Sequence, residues 1–181
     1  IGAGGFDFVF STYLGGSGVD VARALVVDAA GNSYLTGETD VTDFPGVSPV
    51  GGKVTGGSRD AFVVQLNVNG TEIEFSISFG GSQYESGNAI DFNSGGLLYI
   101  AGDTYSSDVT LFDPIQVTFG GGISDAFLLQ CDPNAPGPES IQFCTYIGDE
   151  RTNFGVDCGV GPNDEVCVAS TSPDLSPDGS E

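Results

Sequence analysis

Residues 11–39, STYLGGSGVDVARALVVDAAGNSYLTGET, and residues 76–104, SISFGGSQYESGNAIDFNSGGLLYIAGDT, are two editions of one pattern. The second follows the first at an offset of 65 with no gap, and the alignment extends from 11–66 onto 76–131, where 17 of 56 positions are identical. The identities fall in motifs: STYLGGS (11–17) on SISFGGS (76–82), and GGSRDAFVVQL (56–66) on GGISDAFLLQC (121–131). Self-similarity at a fixed period is the signature of a repeat architecture, and it decides the fold before any single element does.

A weaker third copy follows at an offset of 68. FCTYIGD (143–149) matches FSISFGG (75–81), and PNDEVCVAST (162–171) matches SGGLLYIAGD (94–103). The three extra residues fall in the turn DPNAPGPES, 132–140. This copy has no counterpart of the DAF segment. Repeat 1 therefore spans about 6–70, repeat 2 about 71–140 and a partial repeat 3 about 141–172, with an acidic tail at 173–181.

Each repeat resolves into four strands. An FSTYLGG-type strand comes first. ALVVD and SYLTGE follow as a hairpin joined through Ala29–Asn32. A Gly/Pro-rich loop (40–58) then leads to DAFVVQL, which turns through Asn69-Gly70 into EIEFSISFGG. Asn-Gly between alternating strands is a strong hairpin signal. In EIEFSISF, Ile73, Phe75, Ile77 and Phe79 share one face and Glu72, Glu74, Ser76 and Ser78 the other, as in a half-buried strand. AFVVQL and LLYIAG are apolar on both faces, as central strands are. No segment carries a sustained 3.6-residue apolar period, so helix is predicted to be nearly absent. The expected fold is all-β: tandem four-stranded antiparallel, propeller-like blades, two full repeats plus a partial third, not closed within one chain.

These motifs resemble the SBBP family of β-propeller repeats, found mostly in secreted bacterial and archaeal proteins. The features that carry the resemblance are STYLGG, VVDAAGNSYLTGET, TDFPG and GGSRDAFVVQLNVNG. It covers about residues 6–170 and is most specific in the first repeat. It implies an extracellular β-sheet scaffold and carries no catalytic residue set.

Composition narrows the function. Four Lys and Arg (Arg23, Lys53, Arg59, Arg151) face 25 Asp and Glu, for a net charge of -21. Phosphate backbones and anionic membrane surfaces are repelled by such a chain, so neither nucleic acid nor a membrane is an expected partner. Divalent cations are natural counterions, and solubility or a salty habitat explains the same charge. There is no apolar run long enough to span a bilayer as a helix. The sequence begins at Ile1 in a strand-like segment, the expectation for a processed product. With no histidine, the Ser-His-Asp triad and the usual zinc sites are excluded.

Four cysteines remain, and their even number in a Gly-rich acidic chain predicts two disulfides and an oxidising, extracellular or cell-surface location. Cys131 and Cys144 flank one hairpin turn, and Cys158 and Cys167 lie on the arms of the next hairpin. The predicted pairs are Cys131–Cys144 and Cys158–Cys167. The rival is a four-cysteine metal site, although the spacings lack any CxxC.

Among the acids, Asp40 and Asp43 of repeat 1 lie in the same region as Asp103 and Asp108 of repeat 2, and Asp20 matches Glu85. Hard oxygen ligands on Gly-rich loops suit Ca²⁺; the same residues equally serve to cap turns. Asp60 and Asp125 open the DAF strands and read as strand-entry hydrogen-bond groups. A carboxylate pair also suits glycoside hydrolysis, a weak signal among 25 acids. Asn69-Gly70-Thr71 matches a glycosylation sequon that the hairpin turn explains as well. The six tyrosines fit the core or stacking on surface glycans.

Three functions stay open: a structural subunit such as a filament or surface layer, an adhesive or carbohydrate/protein-binding propeller fragment, and an acid-dependent hydrolase. The first is preferred, with no enzymatic activity expected. The chain opens with a strand that matches a blade's fourth and ends after the second strand of a blade, so it is expected to pair with itself head to tail.

Overall fold

The computed structural model describes residues 9–40, 43–46, 48–49 and 58–172. The architecture is all-β, as the repeat pattern predicts, and no α-helix occurs among the described residues. One 3-10 turn spans Gly137–Ser140, in the loop that holds the third repeat's extra residues. Acidic tail 173–181 and Lys53 lie outside the described residues.

The first sheet joins β1 (Asp20–Val27), β2 (Ser33–Thr39) and β4 (Asp60–Leu66) of repeat 1 to β5 (Ile73–Phe79), the first strand of repeat 2, paired antiparallel in that order. Two residues of the long loop, β3 (Ser48–Pro49), add a short parallel edge beside β5. The second sheet joins β6 (Glu85–Phe92), β7 (Leu98–Thr104) and β8 (Asp125–Cys131) of repeat 2 to β9 (Ile141–Ile147), the first strand of repeat 3, in the same order. Repeat 3 contributes the hairpin β10 (Phe154–Val160) and β11 (Val166–Thr171). The pattern is thus a four-stranded blade, its edge extended by a fifth short strand in repeat 1, then a second blade, then half of a third.

The FSTYLGG-type segment at the start departs from expectation. Its equivalents β5 and β9 pair with the DAF strands β4 and β8, but residues 9–19 form no strand. Phe10 and Leu14 instead pack onto the cluster of Phe44, Phe62, Val64 and Leu66.

The sheets stack with one polarity. In the second sheet Ile90, Ile100, Phe127 and Leu129 face the first sheet, against Ala61, Val63, Ile77 and Phe79. The Phe79 and Phe127 rings lie 5.2 Å apart, tilted by 53°. The second sheet's other face offers Ala89 and Ala101 to Cys158 and Val168 of the third. Shifted back one repeat, the residues that receive a preceding sheet become Leu25, Leu35, Phe62 and Val64, on the first sheet's outward face. Phe44 of the TDFPG loop stacks on Phe62 there, with ring centroids 4.7 Å apart.

The hairpin turns repeat too. Gly31 and Gly96 hold the left-handed position, and the third repeat puts Asp164 there at φ 64°. Only Gly adopts that region without cost; Asp is among the residues that tolerate it. The Asp164 carboxylate accepts the Ser94 N–H at 2.9 Å and the Ser94 hydroxyl at 2.8 Å, fastening the third sheet's turn to the second's.

Candidate functional site

The innermost strands share one irregularity. The register slips between Ala22 and Ala24 in β1, between Gly87 and Ala89 in β6, and between Gly155 and Asp157 in β10. Arg23, Asn88 and Val156 are therefore the extra residues of three β-bulges, and the offsets of 65 and 68 make them equivalent. A bulge bends its strand and re-aims a side chain. The partner strand makes room with glycine: a Cβ on Gly37 would meet the Val21 carbonyl oxygen at 1.9 Å, and one on Gly102 the Ser86 carbonyl oxygen at 1.9 Å. The three bulged residues converge on one cleft of about 540 Å³, where Asp103 and Phe154 also line the wall.

Two of the four cations meet here around one buried acid. Glu38, 2% exposed, accepts hydrogen bonds from Arg23 at 3.2 Å, from Arg59 and from the Tyr84 hydroxyl. Arg23 also donates to Tyr84 at 3.3 Å. Burial alone would raise the Glu38 pKa, but the bonds from Tyr84, Arg23 and Arg59 hold it below the usual carboxylate range. Tyr84 stands at the entry to β6, so this network ties the first sheet to the second.

Asp103 is the repeat-2 counterpart of Glu38. Its Oδ2 accepts Asn88 Nδ2–H at 2.9 Å and its Oδ1 the Gly155 N–H at 2.7 Å. Asn88 donates onward to the Gly155 carbonyl at 2.8 Å. Burial pushes the Asp103 pKa up, and these hydrogen bonds only partly offset it. The pairing of bulged residue with strand-two residue thus runs from Arg23–Glu38, to Asn88–Asp103, to Val156 beside β11.

The other acids weighed as calcium ligands work inside the loops. Asp20 accepts the Gly16 N–H at 2.7 Å and the Thr39 hydroxyl at 2.6 Å. Glu85 does the same with Gly81 at 2.7 Å and Thr104 at 2.7 Å. Asp43 accepts the Ser17 N–H at 3.0 Å, and Asp108 the Ser82 N–H at 2.8 Å. Asp40 accepts the Val19 N–H at 2.8 Å. The Asp20 and Asp43 bonds recur at Glu85 and Asp108 in the next repeat, and they fasten each GGS loop to its inner strand and to the loop after the second strand. Asp103 sits apart, in the axial cleft. Among the described residues, no three Asp, Glu or Cys side chains gather as a metal site requires. Asp60 and Asp125 are buried where their DAF strands begin, and Asp125 accepts the Gly120 N–H at 2.6 Å.

The expected pairs Cys131–Cys144 and Cys158–Cys167 are not bonded in the structure, where all four cysteines stand as thiols. Cys158 lies opposite Val168, and Cys167 opposite Gly159, so the two side chains point to opposite faces of their hairpin. Cys144 lies opposite Leu129 and Cys131 opposite Ile141, because a bulge between Gln130 and Cys131 separates them along the ladder. Both sit in the inter-sheet core, where burial pushes their pKa up and makes them inert. Asn69 is exposed at the apex of the β4–β5 turn, where Gly70 N–H donates to the Asn67 carbonyl at 2.8 Å. Tyr34, Tyr99 and Tyr146 are buried, and Tyr13 is fully exposed.

The segment that builds β1, its bulge, β2 and the Phe44 loop is the one that a known family shares. Residues 9–45 match the SBBP family, a beta-propeller repeat. This stretch is similar to one SBBP repeat. Its bulge residue Arg23 and the buried Glu38 both fall inside the matched stretch. The second copy reproduces the SBBP repeat's two strands, bulge, turn glycine and loop clamps at an offset of 65. No curated protein matches the chain.

Sequence reasoning named Asp103 but missed Arg23, Asn88, Glu38 and Val156. The signal that marks them is a contrast between copies. Framework positions such as Gly37/Gly102 and Thr39/Thr104 repeat, whereas Arg23/Asn88/Val156 change chemistry at one structural place.

Proposed function

We propose that this chain is a structural module of an extracellular assembly, a scaffold rather than an enzyme, which grows by stacking its sheets head to tail on further copies of itself. One observation carries the reading. Leu25 on the first sheet and Ile90 on the second hold equivalent places, yet Leu25 is 54% exposed and Ile90 5%. Val27, on the same face as Leu25, is 51% exposed. Leaving these side chains in water forgoes the stabilisation their counterparts gain. Phe62 and Val64 of that face already lie under Phe44, Phe10 and Leu14, so the open part is its β1 side, and there Leu25 and Val27 offer the apolar contacts with which the second sheet receives the first.

The complementary surface is the outward face of the third sheet. There Cys167 and Ala169 are exposed where Tyr99 and Ala101 are buried in the second sheet. Being heterologous, a contact between the two ends either closes a ring or propagates a fibre. The SBBP repeat supports placement in a secreted, repeat-built protein. Light scattering on fractionated protein tests the reading. The wild-type chain is expected to form species larger than 18.5 kDa as concentration rises, and Leu25→Arg to remain at 18.5 kDa. Wild-type protein that stays at the monomer mass at every concentration refutes it.

A further inference from the structure

The axial cleft joins features that stacking does not require. Three bulges, one per repeat, aim side chains into it, and those side chains differ from copy to copy while the framework around them repeats. Val156 stands 50% exposed on its wall beside Phe154, an apolar surface held open to solvent. We propose that this cleft is a binding site for a neutral saccharide, contributed jointly by the three repeats.

The chemistry of the wall selects the ligand. Arg23 spends Nη2 on Glu38 and Tyr84, which leaves its Nε–H and Nη1–H to donate from a side chain 39% exposed. Glu38 and Tyr84 fix that guanidinium in place. Across the cleft each carboxylate oxygen of Asp103 receives one hydrogen bond and keeps a further lone pair. A fixed donor fork and a fixed acceptor that share one cleft with the apolar side chains of Phe154 and Val156 match a sugar ring. A hydroxyl donates to Asp103 and another accepts from Arg23, while the C–H face of the ring rests on the apolar side chains.

Charged ligands fit worse. An anion meets Asp103 and the long-range repulsion of a chain at net charge -21, and a cation meets Arg23. A volume of about 540 Å³ lies in the range of small-molecule sites and holds roughly one or two sugar rings. The site uses Val21, Ala22 and Arg23 of β1 but neither Leu25 nor Val27, so the inference goes beyond the scaffold reading and stands without it.

Saturation-transfer NMR with cellobiose, maltose and N,N′-diacetylchitobiose as neutral probes tests it, with digalacturonate and the glucosamine disaccharide as charged ones. At least one neutral disaccharide is expected to bind the wild-type chain. Val156→Trp fills the cleft from an exposed position and should abolish binding. Asp103→Asn should weaken it about tenfold, the loss of one charged hydrogen bond. Leu25→Arg, which alters the stacking face, should bind as wild type does, so that failure of assembly and failure of this site are told apart. Thermal melts of each variant verify folding, and the two cleft variants check one another. The proposal is overturned if no neutral probe binds, if only a charged probe binds, or if binding survives unchanged in folded Val156→Trp and Asp103→Asn proteins.

Discussion

The first and second sheets share one sequence pattern and differ in what lies against them. Leu25 and Ile90 are alike in residue type, strand and face, and differ about tenfold in exposure, at 54% and 5%. Burial here is set by place in the stack rather than by the residue. The pair also differs in electrostatics. Glu38 of the first sheet is neutralised by two arginines, whereas its counterpart Asp103 relies on an amide and a backbone N–H. A repeat thus conserves a framework while its inward and outward surfaces take on separate tasks.

The widest gap is expected in core truncation. Ile90→Ala should cost about 3 kcal/mol in urea denaturation, as for other buried aliphatic truncations, whereas Leu25→Ala in dilute monomer should cost under about 1 kcal/mol. Equal losses would break the comparison. Next comes the buried acid. Glu38→Ala should cost about 3 kcal/mol, the low end for breaking a buried ion pair, because Arg23 and Arg59 keep about a third of their surfaces in water. Asp103→Ala leaves only neutral groups unpaired and should cost about 1–2 kcal/mol.

The pH dependence of the same pairs should run in opposite directions. Glu38 is held below its ordinary pKa, so its contribution is present above the unfolded carboxylate range and is lost as pH falls through its folded value. Glu85, Asp103 and Asp125 are pushed up by burial, so folding holds their protons longer and stability drops as pH rises from the unfolded value through the folded one. Stability curves should therefore lose part of their acid-side fall in Glu38→Gln and part of their decline with rising pH in Glu85→Gln. The smallest effect is at the turns: Asp164→Ala, which gives up both bonds to Ser94, should lower the urea midpoint less than any substitution above.

How far these features were legible in the sequence depends on their range. The repeat, the strands and the turn glycines were readable because each rests on local pattern: alternation, Asn-Gly, and Gly at left-handed positions. The bulges were not. The bulged residues themselves, Arg23, Asn88 and Val156, share no chemistry, and only their equal place in the repeat links them. The faces that the cysteines occupy were illegible for a related reason, since a shift of one residue moves a side chain to the other face, and that register is set by neighbouring strands. Strand formation at 9–19 failed because an alternating segment becomes a strand only beside a partner. Loop acids read as metal ligands turned out to carry the repeated clamps on GGS backbone N–H groups, which use the same oxygens.

The central claim is that the first sheet's outward face is a stacking face awaiting a sheet like its neighbour. Carbene footprinting of the wild-type chain across a concentration series measures this residue by residue. In dilute protein, label is expected at Leu25 and Val27 and not at Ile90. As concentration rises, label at Leu25 and Val27 should fall toward the Ile90 level, while Ile115 and Val117, exposed on the β7–β8 loop, stay labelled. Labelling of Leu25 and Val27 that does not change with concentration, or Ile90 labelled as heavily as Leu25, would contradict the account.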